Sequence, residues 1–176
     1  MTEAAPDLGL RLQDGELRLS EYHPGWAEAF RQEAARLLPF LHEGSELEHV
    51  GSTAVPGLIA KPVLDLAVKL ATPLTVAAFE ADLPGLGYRF HLDGGESRGR
   101  IWRKGPGGLC THILHLVLSG NPQWERWLAL RDLLRRSGEE RQRYAEAKAQ
   151  ALLQATSRQE YTRLKTGTIQ RLLSEC

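Results

Sequence analysis

The stretch His49-Val50-Gly51-Ser52-Thr53-Ala54-Val55-Pro56-Gly57-Leu58 runs on through Ala60-Lys61-Pro62 to Val63-Leu64-Asp65-Leu66-Ala67-Val68-Lys69-Leu70, and its reading decides the fold class. Glu46 to Val50 reads as a short strand ending in Gly51-Ser52, and a loop punctuated by Pro56, Gly57 and Pro62 separates it from a second strand over 63–70. That second strand is apolar on both faces except at Asp65 and Lys69, the pattern of a strand inside a sheet. Glycine lets a turn approach a phosphate without side-chain obstruction, and Ser52 adds a hydroxyl. Asp65 then stands beside the turn, where a carboxylate can hold a divalent metal that bridges phosphates. Nucleotidyl transfer needs both parts, because charge develops on phosphate oxygens that the protein must position and neutralise. A charged Asp65 buried without a partner is costly, so it faces either a site or a salt bridge.

Working outward, Leu10, Leu12, Leu17 and Leu19 flank Asp14-Gly15 with the alternation of a two-residue hairpin. Pro24 opens a helix over about 25–41 with Trp26, Phe30, Leu37 and Leu41 on one stripe. A second helix fits 73–83. Strands are expected at 87–92 and 99–104, joined by Asp93-Gly94-Gly95-Glu96, and at 111–118, stopped by Gly120-Asn121-Pro122. Residues 123–136, 139–155 and 158–173 read as three amphipathic helices, the last with Ser157 and Glu160 at capping-box spacing. The expected architecture is α/β (α+β). One mixed sheet, including the hairpin, is flanked by helices and carries a C-terminal three-helix layer. A single domain covers 1–176, with 1–8 frayed, 9–120 as sheet core and 121–176 as helical layer.

Composition narrows the function classes. The 176 residues are 42% hydrophobic and 25% charged, which excludes wholesale disorder. Lys and Arg number 22 and so do Asp and Glu, which argues against a general electrostatic DNA binder. Residues 121–176 hold 11 basic against 7 acidic residues, which a solvated helical face accounts for. Cys110 and Cys176 cannot build a disulfide framework or a cysteine zinc cage. The acidic start lacks the apolar core of a secretory signal, and no run approaches the ~18 apolar residues of a membrane span. The expected location is cytoplasmic, without membrane or nucleic-acid partners.

Val50-Gly51-Ser52 and, twelve residues on, Asp65-Leu66-Ala67-Val68 resemble the signature of the nucleotidyltransferase superfamily. Ala67 departs from it, since that signature has a second carboxylate there, and residues two apart on a strand share a face. A longer resemblance, over about residues 20–173, is to the GrpB family of that superfamily. It rests on Tyr22-His23-Pro24-Gly25-Trp26, the 49–58 string, Ala60-Lys61-Pro62, the histidine-containing strand, Leu130-Arg131-Asp132, and the Tyr144-to-Lys148 and Tyr161-to-Lys165 spacings. Members of that family often lack the second carboxylate. The resemblance implies a nucleotidyltransferase-like fold and metal-dependent nucleotidyl transfer to an unknown acceptor. Domains of this type also occur fused to dephospho-coenzyme A kinase. That implies the alternative of an inactive nucleotide-binding module in nucleotide or coenzyme A metabolism.

The candidate residues follow from both readings. Asp65 and His115 are the candidate catalytic pair, with His115 on the strand where the superfamily places a third acid. Asp65, His115, His49 and His112 are candidate ligands for Mn, Mg or Zn; imidazole favours the softer ions. The bland alternative for each histidine is a local hydrogen bond. Gly51, Ser52, Lys61, Lys148 and Lys165 are candidate phosphate contacts. Lys61 reads equally as a partner of Asp65. Lys148 and Lys165, each four residues after a tyrosine, read also as solvated lysines beside packed rings. Trp124 and Trp127 are expected in the core. An RNA-contacting role for the basic helices is disfavoured, because no aromatic and basic sheet face accompanies them.

Overall fold

A computed structural model describes residues 7–95 and 99–174. Residues 1–6 of the expected frayed start, Glu96 of the expected turn and Cys176 lie outside the described residues. The elements are β1 (Leu12–Gln13), α1 (Trp26–Leu37), β2 (Glu46–Val50), β3 (Leu64–Leu70), α2 (Pro73–Asp82), β4 (Tyr88–Asp93), β5 (Arg100–Lys104), β6 (Leu109–Cys110), β7 (His112–Leu118), α3 (Pro122–Arg136), α4 (Gly138–Gln154) and α5 (Arg158–Ser174). Five strands form a mixed sheet in the order β2-β3-β7-β5-β4, with β3 and β7 parallel and the other neighbours antiparallel.

The period-two alternation of β3 divides the molecule. Leu64, Leu66, Val68 and Leu70 join Leu114 and Leu116 of β7 on one face, and Trp26, Leu37, Phe79 and Leu83 from the α1 and α2 region close over them. On the opposite face stand Asp65 and Ala67 with His115 and Val117, and Trp124 of α3 packs on Val50, Ala67 and Val117 there. Val55 and Leu58 of the loop after Gly51 sink among Leu133, Leu134, Tyr144 and Leu172. The C-terminal helices therefore cover the face that carries Asp65. Among the described residues no helix is long and apolar enough to cross a membrane.

Local signals explain the helix ends. Thr72 accepts from the Thr75 amide at 3.2 Å ahead of Pro73, and Ser137 caps α4 through the Glu140 amide at 3.2 Å. Ser157 caps α5, accepting from the Glu160 amide at 3.1 Å, while the Glu160 carboxylate turns to the Thr156 amide at 2.9 Å. The capping box is thus completed one residue earlier than the spacing predicts.

The hairpin over 10–19 does not form. Leu12–Gln13 pairs instead with Leu109–Cys110 in a separate two-stranded ribbon, and Ser20 bridges Ala60. The turn at Asp14-Gly15 is present, with Glu16 N–H donating to Gln13 O at 3.1 Å. Side chains then replace the ladder. Arg18 donates to Arg11 O at 2.6 Å and to Glu16 Oε1 at 2.9 Å, and Glu16 Oε2 accepts from the Gln13 amide at 2.9 Å. Local side-chain bonds of this kind compete with strand pairing.

Candidate functional site

The site starts at one glycine. β2 ends at Val50, which stands opposite Asp65 in the antiparallel register. Gly51 follows at φ +70° and ψ −170°, a region essentially confined to glycine. A Cβ at Gly51 would lie 2.6 Å from Asp65 Oδ2. The missing side chain is thus the space the Asp65 carboxylate occupies. Ser52–Ala54 then forms a single 3-10 turn. Gly51→Ala is expected to cost about 1–3 kcal/mol through backbone strain and to displace Asp65; urea unfolding reads the first effect and ligand calorimetry the second. An unchanged unfolding midpoint would contradict this geometry.

Three lysines converge on the turn. Lys148 of α4 is 2% exposed, and its Nζ donates to Ser52 Oγ at 2.8 Å and to the Ile59 carbonyl. Burial pushes the Lys148 ammonium well below its ordinary pKa, and repulsion from Lys165 and Lys61 adds to this while Asp65 opposes it. Lys61 Nζ lies 4.1 Å above the Tyr161 ring centroid, and Lys165 Nζ lies 6.0 Å from the same ring. Tyr144 raises the Lys165 pKa against the burial that lowers it. Burial pushes Tyr161 up to about 12, and its hydroxyl is buried without a hydrogen-bond partner. Tyr161 therefore keeps its proton at neutral pH, with its hydroxyl enclosed.

Asp65 meets one histidine. His115 Nε2 lies 3.5 Å from Asp65 Oδ1, and His115 stands directly across from Ala67 in the parallel register. Trp127 leans on the imidazole, with ring centroids 5.0 Å apart. Trp124 is buried as expected, and Trp127 is a wall of the site.

His112 is not brought to Asp65, and His49, though near enough to feel the Asp65 charge, stands on the opposite face of the sheet. His49 neighbours Val50, so it points to the α1 face; it stacks on Phe30 with centroids 4.6 Å apart and shares a hydrogen bond with Thr53 Oγ1 at 3.0 Å. His112 is three residues before His115 on the same strand and faces away from it. Its Nδ1 is 2.8 Å from Thr111 Oγ1, and it lies near the ion pair of Glu33 with Lys104, whose Nζ is 2.7 Å from Glu33 Oε1. Burial pushes both histidines down to about 4, so both are neutral at pH 7. Among the described residues no three His, Cys, Asp or Glu side chains gather as an ion cage.

Two arginines that the sequence reading left without a role hold the turn from behind. Arg131 of α3 donates to Glu48 Oε2 at 2.6 Å and to the His49 carbonyl at 3.1 Å, and Arg135 donates to the Ala54 carbonyl at 2.9 Å. Their spacing of four on one helix was the available signal.

A family model described as "GrpB protein" matches residues 16–175. The UPF0157 protein YqkA of Bacillus subtilis is 35% identical over 76% of this chain, which spans 39% of that relative's length. The crystal structure of conserved protein GrpB from Enterococcus faecalis is 31% identical, with a TM-score of 0.72 over 89% of this chain and 99% of that one. A more distant likeness is to Cid1 in complex with its short product ApU, at 15% identity and a TM-score of 0.50 over 73% of this chain and 41% of that one. That likeness is one of fold, and the fold is the nucleotidyltransferase one.

Proposed function

Since this chain belongs to the GrpB family, and its lysines close on a Gly-Ser turn beside a carboxylate, we propose that it binds a nucleoside triphosphate with a divalent metal and transfers the nucleotidyl group to an acceptor. The observation that carries this reading is Lys148, a buried lysine whose Nζ is 2.8 Å from Ser52 Oγ and whose pKa is pushed down by burial first and then by Lys165 and Lys61. Three cations around one aspartate form an environment that a polyanion relieves. Lys148, Lys165 and Lys61 neutralise the β- and γ-phosphates, while Ser52 supplies a hydroxyl.

The 3.5 Å between Asp65 Oδ1 and His115 Nε2 suits two donors about 2.1 Å from one ion. Asp65 and His115 would hold the ion, and phosphate oxygens would share it, so metal and nucleotide would bind together. A bound ion supplies charge neutralisation at the reacting phosphate. In the transfer an acceptor oxygen bonds to the α-phosphorus, the bond to pyrophosphate breaks, and the acceptor proton passes to solvent. Ala67 favours a second reading, because Asp65 then has no carboxylate partner for a two-metal clamp. On that reading the protein is a nucleotide-binding module in nucleotide or coenzyme A metabolism.

Calorimetry with a panel of nucleotides, each with magnesium, manganese, zinc or none, tests both. The expected result is triphosphate binding that manganese or zinc enhances more than magnesium. Lys61→Ala should weaken it more than about tenfold, and Asp65→Asn should remove the metal-dependent part while melting normally. No binding of any nucleotide rejects the reading. Binding without turnover, with turnover appearing in Ala67→Asp, favours the binding module.

A further inference from the structure

A concavity of about 810 Å³ opens on the same face of the sheet as Asp65 and is lined from three directions by Asp14, Arg103, Gln159, Arg163, Thr166 and Gln170. Its relation to the nucleotide site follows from the register. Asp65 stands across from Ile113, and Ile113 across from Arg103, so the three share one row on one face. At about 4.8 Å per strand, the Arg103 backbone is about 10 Å from that of Asp65. α5 serves both regions, because Tyr161 and Lys165 turn towards the lysine cluster while Thr162 and Thr166, one position on, line the concavity.

Its chemistry points to an anion. Arg103 Nη1 is 2.8 Å from Asp14 Oδ1, but Asp14 is 76% exposed, and Arg103 Nε is buried with no hydrogen-bond partner. Arg163 is 76% exposed and only 3.8 Å from Glu160, a weak attachment that leaves the guanidinium able to swing. Gln159, Gln170 and Thr166 line it beside the two arginines, the Thr166 hydroxyl already donating to the Thr162 carbonyl at 2.8 Å. No Trp, Tyr or Phe is among the lining residues and His91 is the one ring there, so the concavity lacks the row of aromatic platforms on which successive bases stack. The volume falls in the range of about 300–1,000 Å³ typical of small-molecule sites.

We propose that this concavity is the acceptor pocket, taking a small hydroxyl-bearing molecule whose anionic group, a phosphate or a carboxylate, is held by Arg103 and Arg163. The proposal rests on the nucleotide-transfer reading above. It places the acceptor hydroxyl along the sheet row that leads to Asp65, with the anionic end anchored away from the triphosphate. Two like-charged substrates thus meet without sharing cations.

The test is arginine side-chain NMR on the full chain, alone and with a non-hydrolysable ATP analogue. The probes are glycerol 3-phosphate, glycerate, glycerol and a short RNA with a free 3′ hydroxyl. The expected result is that glycerol 3-phosphate or glycerate moves the Arg103 Nε–H resonance while glycerol does not, and which of the two binds tighter separates phosphate from carboxylate. Arg163→Gln, at an exposed position that does not threaten folding, should weaken the bound polyol about tenfold. If the ATP analogue binds and neither anionic polyol moves Arg103, the pocket assignment is overturned and the nucleotide reading stands. If RNA alone moves Arg103, the small-acceptor assignment is overturned in favour of a polynucleotide. If the ATP analogue does not bind, the nucleotide reading fails and the acceptor role fails with it.

Discussion

Lys148→Met should lower triphosphate affinity about a hundredfold and raise the melting temperature at pH 7. The first effect follows from removing a cation bonded to the phosphate turn, since charge-assisted hydrogen bonds contribute about 1.5–3 kcal/mol. The second follows from what the lysine costs the fold without a ligand. Its ammonium is buried beside two other cations and its pKa is pushed well below the ordinary 10.5. The unfolded chain therefore binds more protons than the fold between that lowered value and 10.5, and wild-type stability rises with pH through that window. Methionine fills similar space without charge, so its advantage is full below the window and vanishes above 10.5. Thermal melts from pH 6 to 11 with calorimetry at pH 7 check both effects. A variant that melts lower and binds as wild type would make Lys148 a purely structural residue.

The fold should also lose stability steeply in acid. His49 and His112 both drop from 6.5 to about 4 through burial. As pH falls through 6.5 the unfolded imidazoles take up protons while the folded ones do not, so stability declines until about pH 4. At about 1.36 kcal/mol per pH unit, each histidine accounts for about 3 kcal/mol over that range. Glu33 adds a further loss below 4.5, because Lys104 outweighs its burial and holds its carboxyl below the usual value. Urea midpoints from pH 7 to 4 should therefore fall, and His49→Gln with His112→Gln should flatten that limb. Equal midpoints at pH 7 and pH 4.5 in the wild type would refute the burial argument.

Much of this arrangement was legible in the sequence, for reasons that differ by element. β2 reproduces the predicted 46–50, and β3 starts one residue after the predicted 63, because an apolar run interrupted by Asp65 and Lys69 has few alternatives. α4 and α5 were bounded by Ser137 and Ser157, residues whose hydroxyls suit helix starts. The 10–19 hairpin failed because Arg18 and Glu16 bond the neighbouring backbone, a tertiary choice that alternation alone does not reveal. Lys148 and Lys165 were picked out by their tyrosines four residues earlier; each lies over its own tyrosine ring, and Lys148 also bonds Ser52 of the turn. His49 and His112 stand on the face opposite Asp65, and for His112 parity gives this in advance, since His112 and His115 are an odd number apart on one strand. The concavity at Arg103 was illegible, since Asp14, Arg103 and Arg163 come from three remote segments.

The bond between Lys148 and Ser52 spans 96 positions of chain. A ribosome adding about 5–20 residues per second needs about 5–20 s to travel from one to the other. During that interval β2, the Gly51 turn and β3 have emerged, while the helix that supplies the buried cation has not. β7 and its parallel pairing with β3 arrive only late in the same interval. The nascent Asp65 face therefore passes through a stage with its carboxylate and Lys61 made and with Lys148 and Lys165 still unmade. Closure of the Gly51 turn is thus timed by synthesis: Ser52 gains its Lys148 partner only once α4 has folded back across it.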